Sequence, residues 1–376
     1  MDLVLSEEQE LLRSSANHYL RDHAARLRLR ELYDSSEGWS PHDWQHIAKE
    51  LGWVGAAVPT QYGGLGLGVP ELVVLQQELG RALYPSPFFA VAGLALPALL
   101  ELGSEAQLHS LLPPVVSGDC ILSLAFTDRL GRPLPEGIEV RAEVNGDGVS
   151  LSGEAGFVLF GHAAHLLLVV AHEADGLSLF AVRSDTPGLT MRRLRSADPA
   201  RQLAALTLTA IKLPGTSRIG APGQAGDALT RVMQRAAIIQ AGEQVGGAGR
   251  CVEMATLHAQ TRVQFGRPIG SFQAIKHLLA DDYTGFETAQ STLWYAACVA
   301  DGQDGSLAEM APTIKAYASE VFVRCAADAI QVHGGMGFTW ECDAHFYLKH
   351  ARATSNFLGN PVWHREQLAR TLRIAA

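Results

Sequence analysis

From Asp227 to Arg262 the chain reads DALTRVMQRAAIIQAGEQVGGAGRCVEMATLHAQTR, one long unbroken helical pattern. A helix of that length must bury an apolar stripe along most of its course, so it needs helical partners of similar length. The sequence supplies them. SFQAIKHLLADDYTGFETAQSTLWYAACVAD and LAEMAPTIKAYASEVFVRCAADAIQVHGG follow, and a last helical stretch comes after Pro361. Short breaks join these segments, which predicts an antiparallel four-helix bundle over 223–376. Gly246, Gly247 and Gly249 sit mid-helix, where they would permit close packing in an oligomer.

The texture is different upstream. CILSLAF, AEVNGDGVSLSG, HLLLVVA, GLSLFAV and LAALTLTAIKL are short apolar or alternating runs split by Gly, Asp and Pro. Such runs read as strands, and they place a β domain over 118–222. The first 117 residues are helical again. Ser6 followed by Gln9 is a capping-box signature, and LLRSSANHYLRDHAARL, PHDWQHIAKELG and PELVVLQQELGRAL carry helical periods. The fold class is therefore α+β and multidomain, in the order helices, β domain, bundle. GGLGLG at 63–68 lacks a βαβ context and the G-x-G-x-x-G spacing, so it reads as a loop between helices.

At 376 residues, two or three packed units are expected. A net charge of −9 excludes a global nucleic-acid footprint, so an anionic ligand would need a local positive cluster. Five scattered cysteines without a C-x-x-C pair read as reduced thiols in a cytoplasmic chain, with no metal site expected. The acidic, amphipathic N-terminus is not a signal peptide, and no apolar run has the length of a membrane span.

Two glycine-bearing breaks interrupt the bundle. In RVQFGRPIGSFQAIKHLLADDY, Arg262 ends the long helix, Gln264 and Phe265 sit in the break, and Gln273 opens the next helix. An arginine beside freed backbone N–H groups suits phosphate oxygens, and an aromatic side chain can cover a planar ring. The bland alternative is a helical corner whose arginine caps carbonyls. In QVHGGMGFTWE, Gly334, Gly335 and Gly337 let backbone approach a ligand, and Gln331 offers an amide. H-G-G also occurs in hydrolase oxyanion loops, but no G-x-S-x-G is present. Two such breaks with glutamines suggest one extended ligand that touches both.

These two motifs, about 70 residues apart behind a β domain, resemble those of the acyl-CoA dehydrogenase family, as do LGWVGAAVPTQYGGLG and ELGRAL. The resemblance covers nearly the whole chain. It implies the same three-domain order and FAD bound without a dinucleotide fingerprint. Arg262, Gln264 and Phe265 match positions for the pyrophosphate and adenine end, joined by Gln273, and Gln331, Gly334 and Gly335 match the second group. In the family these reach the FAD of a neighbouring subunit, which implies an oligomer, most simply a tetramer. SLAFTDRLGR matches the segment beside the flavin ring, placing Phe126 and Thr127 against the isoalloxazine. Asp128 and Arg129 replace the usual Glu-Pro, and Phe157 stands where most members have tryptophan.

The family reaction removes an α-proton from an acyl-CoA thioester with a carboxylate, while a β-hydride passes to flavin. Both usual addresses of that carboxylate are empty: Leu358 occupies one and Ala236 the other. Glu243 lies seven residues after Ala236, on about the same helix side but roughly 10 Å along the axis, and is the candidate base. Its alternative is a structural glutamate. Glu341 and Asp282 match acids at structural positions. AGEQVGGAGRC and AHFYLKHAR resemble actinobacterial and related bacterial members, some of them α2β2 enzymes of steroid side-chain degradation. Three versions follow: a self-sufficient dehydrogenase; one subunit of a hetero-oligomer with a related chain, served by electron-transfer flavoprotein or a similar acceptor; or a flavin-free structural or binding member. The missing bases favour the second.

Overall fold

The computed structural model describes residues 4–24, 26–134, 136–302 and 307–374. The N-terminal unit comprises α1 (Glu7–His23), α2 (Arg26–Asp34), α3 (Pro41–Lys49), α4 (Val69–Ala82), a π-helical turn over Phe89–Ala95 that runs into α5 (Leu96–Leu102), and α6 (Glu105–Val116). The Ser6–Gln9 capping box forms: the Gln9 N–H donates to Ser6 Oγ at 3.2 Å, and the Ser6 N–H to Gln9 Oε1 at 2.8 Å. The glycine run at 63–68 is a loop between helices. Gly64 is required there, because a Cβ would come within 2.1 Å of the Val58 carbonyl oxygen.

The chain then builds a curled eight-stranded sheet from β1 (Leu122–Ala125), β2 (Arg141–Asn145), β3 (Gly148–Leu159), β4 (Leu166–Glu173), β5 (Gly176–Arg183), β6 (Leu189–Arg193), β7 (Leu203–Pro214) and β8 (Arg218–Ile219). The spatial order is β6-β7-β3-β2-β4-β5-β8, with β1 parallel to β4 from the Leu122–Leu166 pair onward. Val169, Phe180, Val182, Leu206 and Ile211 form its own small core. The β3–β7 register slips between Ala155 and Val158. Phe157 sits in that slip with φ +51°, and such irregularities re-aim side chains.

The C-terminal unit holds α7 (Ala225–Thr261), α8 (Gln273–Asp301), α9 (Leu307–His333), α10 (Ala344–Asn356) and α11 (Pro361–Thr371). It therefore has five helices among the described residues, one more than expected; α10 is the addition. The mid-helix glycines of α7 permit close helix packing, and the neighbours they meet lie inside this chain. A Cβ at Gly246 would lie 1.9 Å from the Gln77 carbonyl oxygen of α4, one at Gly247 2.4 Å from the Phe322 ring of α9, and one at Gly249 2.8 Å from Phe286 of α8. Gly80 of α4 meets the Glu243 backbone in the same way. The N-terminal unit is thus clamped to the bundle backbone to backbone. Among the described residues, no helix is long and apolar enough to cross a membrane.

Candidate active site

The outer part of the site is made where α7 stops. Arg262 leaves helical geometry, and Val263–Gln264 pair with Arg267–Pro268 in a minimal hairpin. Phe265 and Gly266 form its tip with φ +51° and +78°. The Ile269 N–H donates to the Arg262 carbonyl at 2.8 Å and closes the turn, and α8 starts at Gln273. The second break is a 3-10 turn over Gly334–Phe338. The two breaks are brought together by the His258 and His333 rings, stacked at 4.3 Å.

Arg262, Gln264, Gln273, Gln331, Gly334 and Gly335 all lie exposed on this surface. Phe265 is 91% exposed, which is unusual for an aromatic side chain of a folded unit. Met336, Phe338 and Trp340 are exposed beside the second break. Among the described residues no carboxylate pairs with the Arg262 guanidinium. A Cβ at Gly334, Gly335 or Gly266 would meet open space. A free guanidinium, three amides, exposed rings and uncovered glycine backbone fit an anionic group carrying a planar ring, docked from outside.

The inner part starts at the end of β1. Phe126 is buried, its ring 6.2 Å from that of Phe357. The Thr127 hydroxyl donates to the Gly156 carbonyl, and the Gly156 N–H donates back to the Thr127 carbonyl at 3.0 Å. Asp128 organises the loop that follows: its carboxylate accepts from the backbone N–H of Leu130 at 2.9 Å and of Arg132 at 3.0 Å, and from the Arg132 guanidinium. Gly156 and Phe157 border an open groove of about 740 Å³, further lined by Leu194, Ser196 and Ala197 and by Arg129, Arg192 and Arg195. Small residues, one ring and the Arg192 and Arg195 guanidiniums, with Arg129 paired to Glu154 in the same lining, make it compatible with a flavin nucleotide.

Beside Phe126 a separate cavity of about 260 Å³ opens between α7, α9, α11 and the β-domain loop, lined by Met233, Ala237, Pro312, Leu358, Trp363 and His364 among others. Leu358, which holds the usual base position, is in this wall. Ala236, the other position, is fully buried next to Ala237. Among the described residues, none that lines it is a carboxylic acid.

The remaining candidate, Glu243, does not face this cavity. It closes a four-membered ionic cluster in which Arg201 donates to Glu243, His350 Nε2 lies 3.1 Å from Glu243 Oε1, and His350 Nδ1 lies 2.8 Å from Asp198 Oδ2. All four residues are buried. Burial pushes the Glu243 pKa up, but Arg201 and then His350 outweigh it and hold the carboxyl at about 2. Burial pushes His350 down, but Asp198 and Glu243 lift it to about 9. A carboxylate stabilised in this way is a poor proton acceptor, and in this structure Glu243 sits between β domain and bundle, paired with Arg201 and His350. Asp282 is also buried, bonded to Arg324.

Sequence reading missed Arg201, Asp198, His350 and His364. His350 lay within the AHFYLKHAR stretch, but nothing local marks its partners. The Arg201 guanidinium lies over the rings of Phe89 and Phe357, at 5.6 and 5.1 Å, so the cluster backs directly onto the Phe357–Leu358 turn.

This arrangement of N-terminal helices, middle β sheet and C-terminal helical bundle, with exposed glycine breaks outside and a largely apolar cavity inside, is that of the acyl-CoA dehydrogenase fold. The chain belongs to the acyl-CoA dehydrogenase family, oxidoreductases that act on the CH–CH bond of an acyl-CoA. The family's N-terminal domain matches residues 6–119, and its C-terminal domain residues 226–373. The family generally binds FAD. The chain is 32% identical to the acyl-CoA dehydrogenase IpdE2 of Mycobacterium tuberculosis, over 97% of this chain and 96% of that one. Its structure is similar to one in the ChsE4–ChsE5 complex from Mycobacterium tuberculosis, with a TM-score of 0.91, 27% identity and full coverage of both chains. It is also similar to a variant of the Tcur3481–Tcur3483 steroid ACAD, with a TM-score of 0.85, 31% identity and 98% coverage of each.

Proposed function

We propose that this chain is one subunit of a hetero-oligomeric, FAD-dependent acyl-CoA dehydrogenase that introduces an α,β double bond into a CoA thioester. The observation that carries the reading is a division within one molecule. The outward surface around Arg262 and Gln331 keeps its exposed donors, while among the described residues no carboxylate lines the cavity at Leu358. Bound FAD would supply the hydride acceptor. This chain's Arg262, Gln264, Gln273 and Gln331 hold the pyrophosphate and adenine end of a partner's FAD, and Phe265 covers the adenine ring. Phe126, Thr127 and Phe157 line the place of the isoalloxazine. This chain's own pocket, walled by Leu358 and Ala237, has lost its base, and the α-proton of a thioester held by the related chain goes to that chain's carboxylate. Electron-transfer flavoprotein or a similar acceptor takes the electrons.

Two relatives solved as pairs of named chains support the two-chain assembly, and the steroid dehydrogenase among them makes a steroid-derived acyl group the first class to test. Five free thiols favour a cytoplasmic setting. The test is co-expression with the neighbouring gene, followed by flavin-to-chain ratio and turnover on a panel of CoA thioesters. Activity and a stable yellow complex are expected only for the pair. Robust turnover by this chain alone would defeat the reading, and a colourless active-site-free complex would favour a structural subunit.

A further inference from the structure

A small cavity of about 20 Å³ lies where the three units meet, walled by Gln76 of α4, Ser86, Phe89, Arg201 of the β domain and Glu243 of α7, among others. Two of these residues each carry a buried polar atom that no group of the chain completes. Gln76 is 2% exposed and Arg201 5%. Nη2 of Arg201 donates to Glu243, but Nη1 has no hydrogen-bond partner, and neither has Gln76 Oε1. Arg201 cannot readily turn elsewhere, because its guanidinium is held between that carboxylate and the rings of Phe89 and Phe357. Gln76 sits on α4, whose next turn at Gly80 is packed on the Glu243 backbone.

A buried donor and a buried acceptor without partners are each costly unless something completes them. The group that completes both must accept from Arg201 Nη1 and donate to Gln76 Oε1. A simple anion has no proton for Oε1 and would face the Glu243 carboxylate. A cation would face the Arg201 guanidinium. Water accepts and donates at once. The size agrees: a water needs roughly 10–15 Å³ of such space, and a cavity of about 20 Å³ holds one and nothing larger. We propose that this cavity is the binding site of a single structural water, which accepts from Arg201 Nη1, donates to Gln76 Oε1 and so joins the β domain to the N-terminal unit.

Buried waters commonly make about three hydrogen bonds, and the Ser86 hydroxyl in the same lining is available for the third. If the Gln76 amide is turned over, water accepts from Nε2 instead, so the site takes the same ligand in either orientation. The water does what the ion pairs do not. Glu243 ties Arg201 to the bundle, and the water ties it to α4. Both terminal nitrogens of the guanidinium are then held, and its face rests on Phe89 and Phe357. Arg201 is thereby fixed to all three units at one point, directly behind the Phe357–Leu358 turn.

Crystal structures of the full chain, as wild type and Gln76→Leu, test the site, with a bromide soak of the wild-type crystals. The wild type should show one peak of density about 2.7–3.2 Å from both Arg201 Nη1 and the Gln76 amide, as well ordered as the side chains around it and without anomalous signal after the soak. Gln76→Leu keeps the approximate size of the side chain and removes its amide. The water then lacks the second partner it needs, and the peak should disappear. Wild-type density without a peak overturns the proposal, and so does a direct bond between Arg201 Nη1 and Gln76. An anomalous bromide peak assigns the site to an anion and overturns it as well. A peak that persists unmoved in Gln76→Leu shows that Gln76 does not hold the water and refutes the bridge. If Gln76→Leu does not fold, the wild-type density and the bromide soak decide by themselves.

Discussion

Glu243→Gln separates a structural glutamate from a catalytic one. The substitution keeps shape and removes charge. It leaves Arg201 buried against the Phe89 and Phe357 rings without its carboxylate, with Nη1 already unpartnered in the chain. Breaking a buried ion pair from one side costs about 3–5 kcal/mol. The depression of the Glu243 carboxyl from 4.5 to about 2 corresponds to about 3 kcal/mol by itself, so two independent routes agree. In a chain of this length that loss lowers the thermal midpoint by roughly 4–6 °C. The sign in pH follows. Because the folded pKa is depressed, the stabilisation is complete above pH 4.5 and is lost as pH falls through 2. The gap between wild type and variant should therefore be full at pH 7 and should narrow below pH 4.5. Scanning calorimetry at pH 7 and pH 3.5, with turnover of the co-expressed complex measured on the same samples, provides the comparison. A variant that melts with wild type at pH 7 but has lost all turnover would refute the structural assignment and restore Glu243 as the base.

Arg262→Ala should weaken flavin retention by the assembled complex about ten- to hundredfold, from loss of a charge-assisted contact of about 1.5–3 kcal/mol; a full flavin complement after purification would contradict the cradle. Gly246→Val should force α4 and α7 apart, since a Cβ already meets the Gln77 carbonyl oxygen at 1.9 Å, and should cost about 1–3 kcal/mol or more in calorimetry. Stability of the wild type should be nearly flat between pH 7 and 9 because two buried groups oppose each other. His350, raised to about 9, stabilises fully below 6.5 and loses that contribution as pH rises through 9. Lys315, which burial and then Arg201 lower to about 7, makes stability rise from pH 7 to 10.5. Lys315→Met should expose the falling limb, about 1.4 kcal/mol per pH unit, and a flat profile in that variant would refute the opposition.

Much of the architecture was legible because it rests on local period. The helix–strand–helix order follows from side-chain spacing, and the Ser6 capping box from residue chemistry at a helix start. The helix stop at Arg262 follows from glycine and proline together. The misses share a different cause. Arg201 and Asp198 sit in the irregular stretch before β7, where nothing local marks a buried charge. The partner of Asp198, His350, is 152 residues away, and that of Arg201, Glu243, is 42 residues away. Glu243 was chosen for its phase relative to Ala236, but seven residues along the axis put it opposite Arg201 instead of the cavity. The glycines of α7 announced a close approach without naming the partner, and that partner is α4 of the same chain. α10 escaped notice as a helix because it is short and carries His345, Lys349 and His350 where an apolar stripe would be expected.

The two halves of the site answer to independent physical demands, and this explains how one can survive without the other. The cradle faces outward and needs only exposed donors and glycine backbone; it takes nothing from the interior. Proton abstraction needs a carboxylate inside a dry cavity, whose burial would cost several kcal/mol unless a substrate used it. Leu358 and Ala236 at those positions avoid that cost, and the interior is held by the Arg201–Glu243 and His350–Asp198 pairs. On the proposed reading, such a chain gains stability by giving up its own base while keeping the surface that a partner's cofactor requires. The trade is open only to a chain that never acts alone, because an exposed cradle with Phe265 and Phe338 in water has no use unless a second subunit covers it.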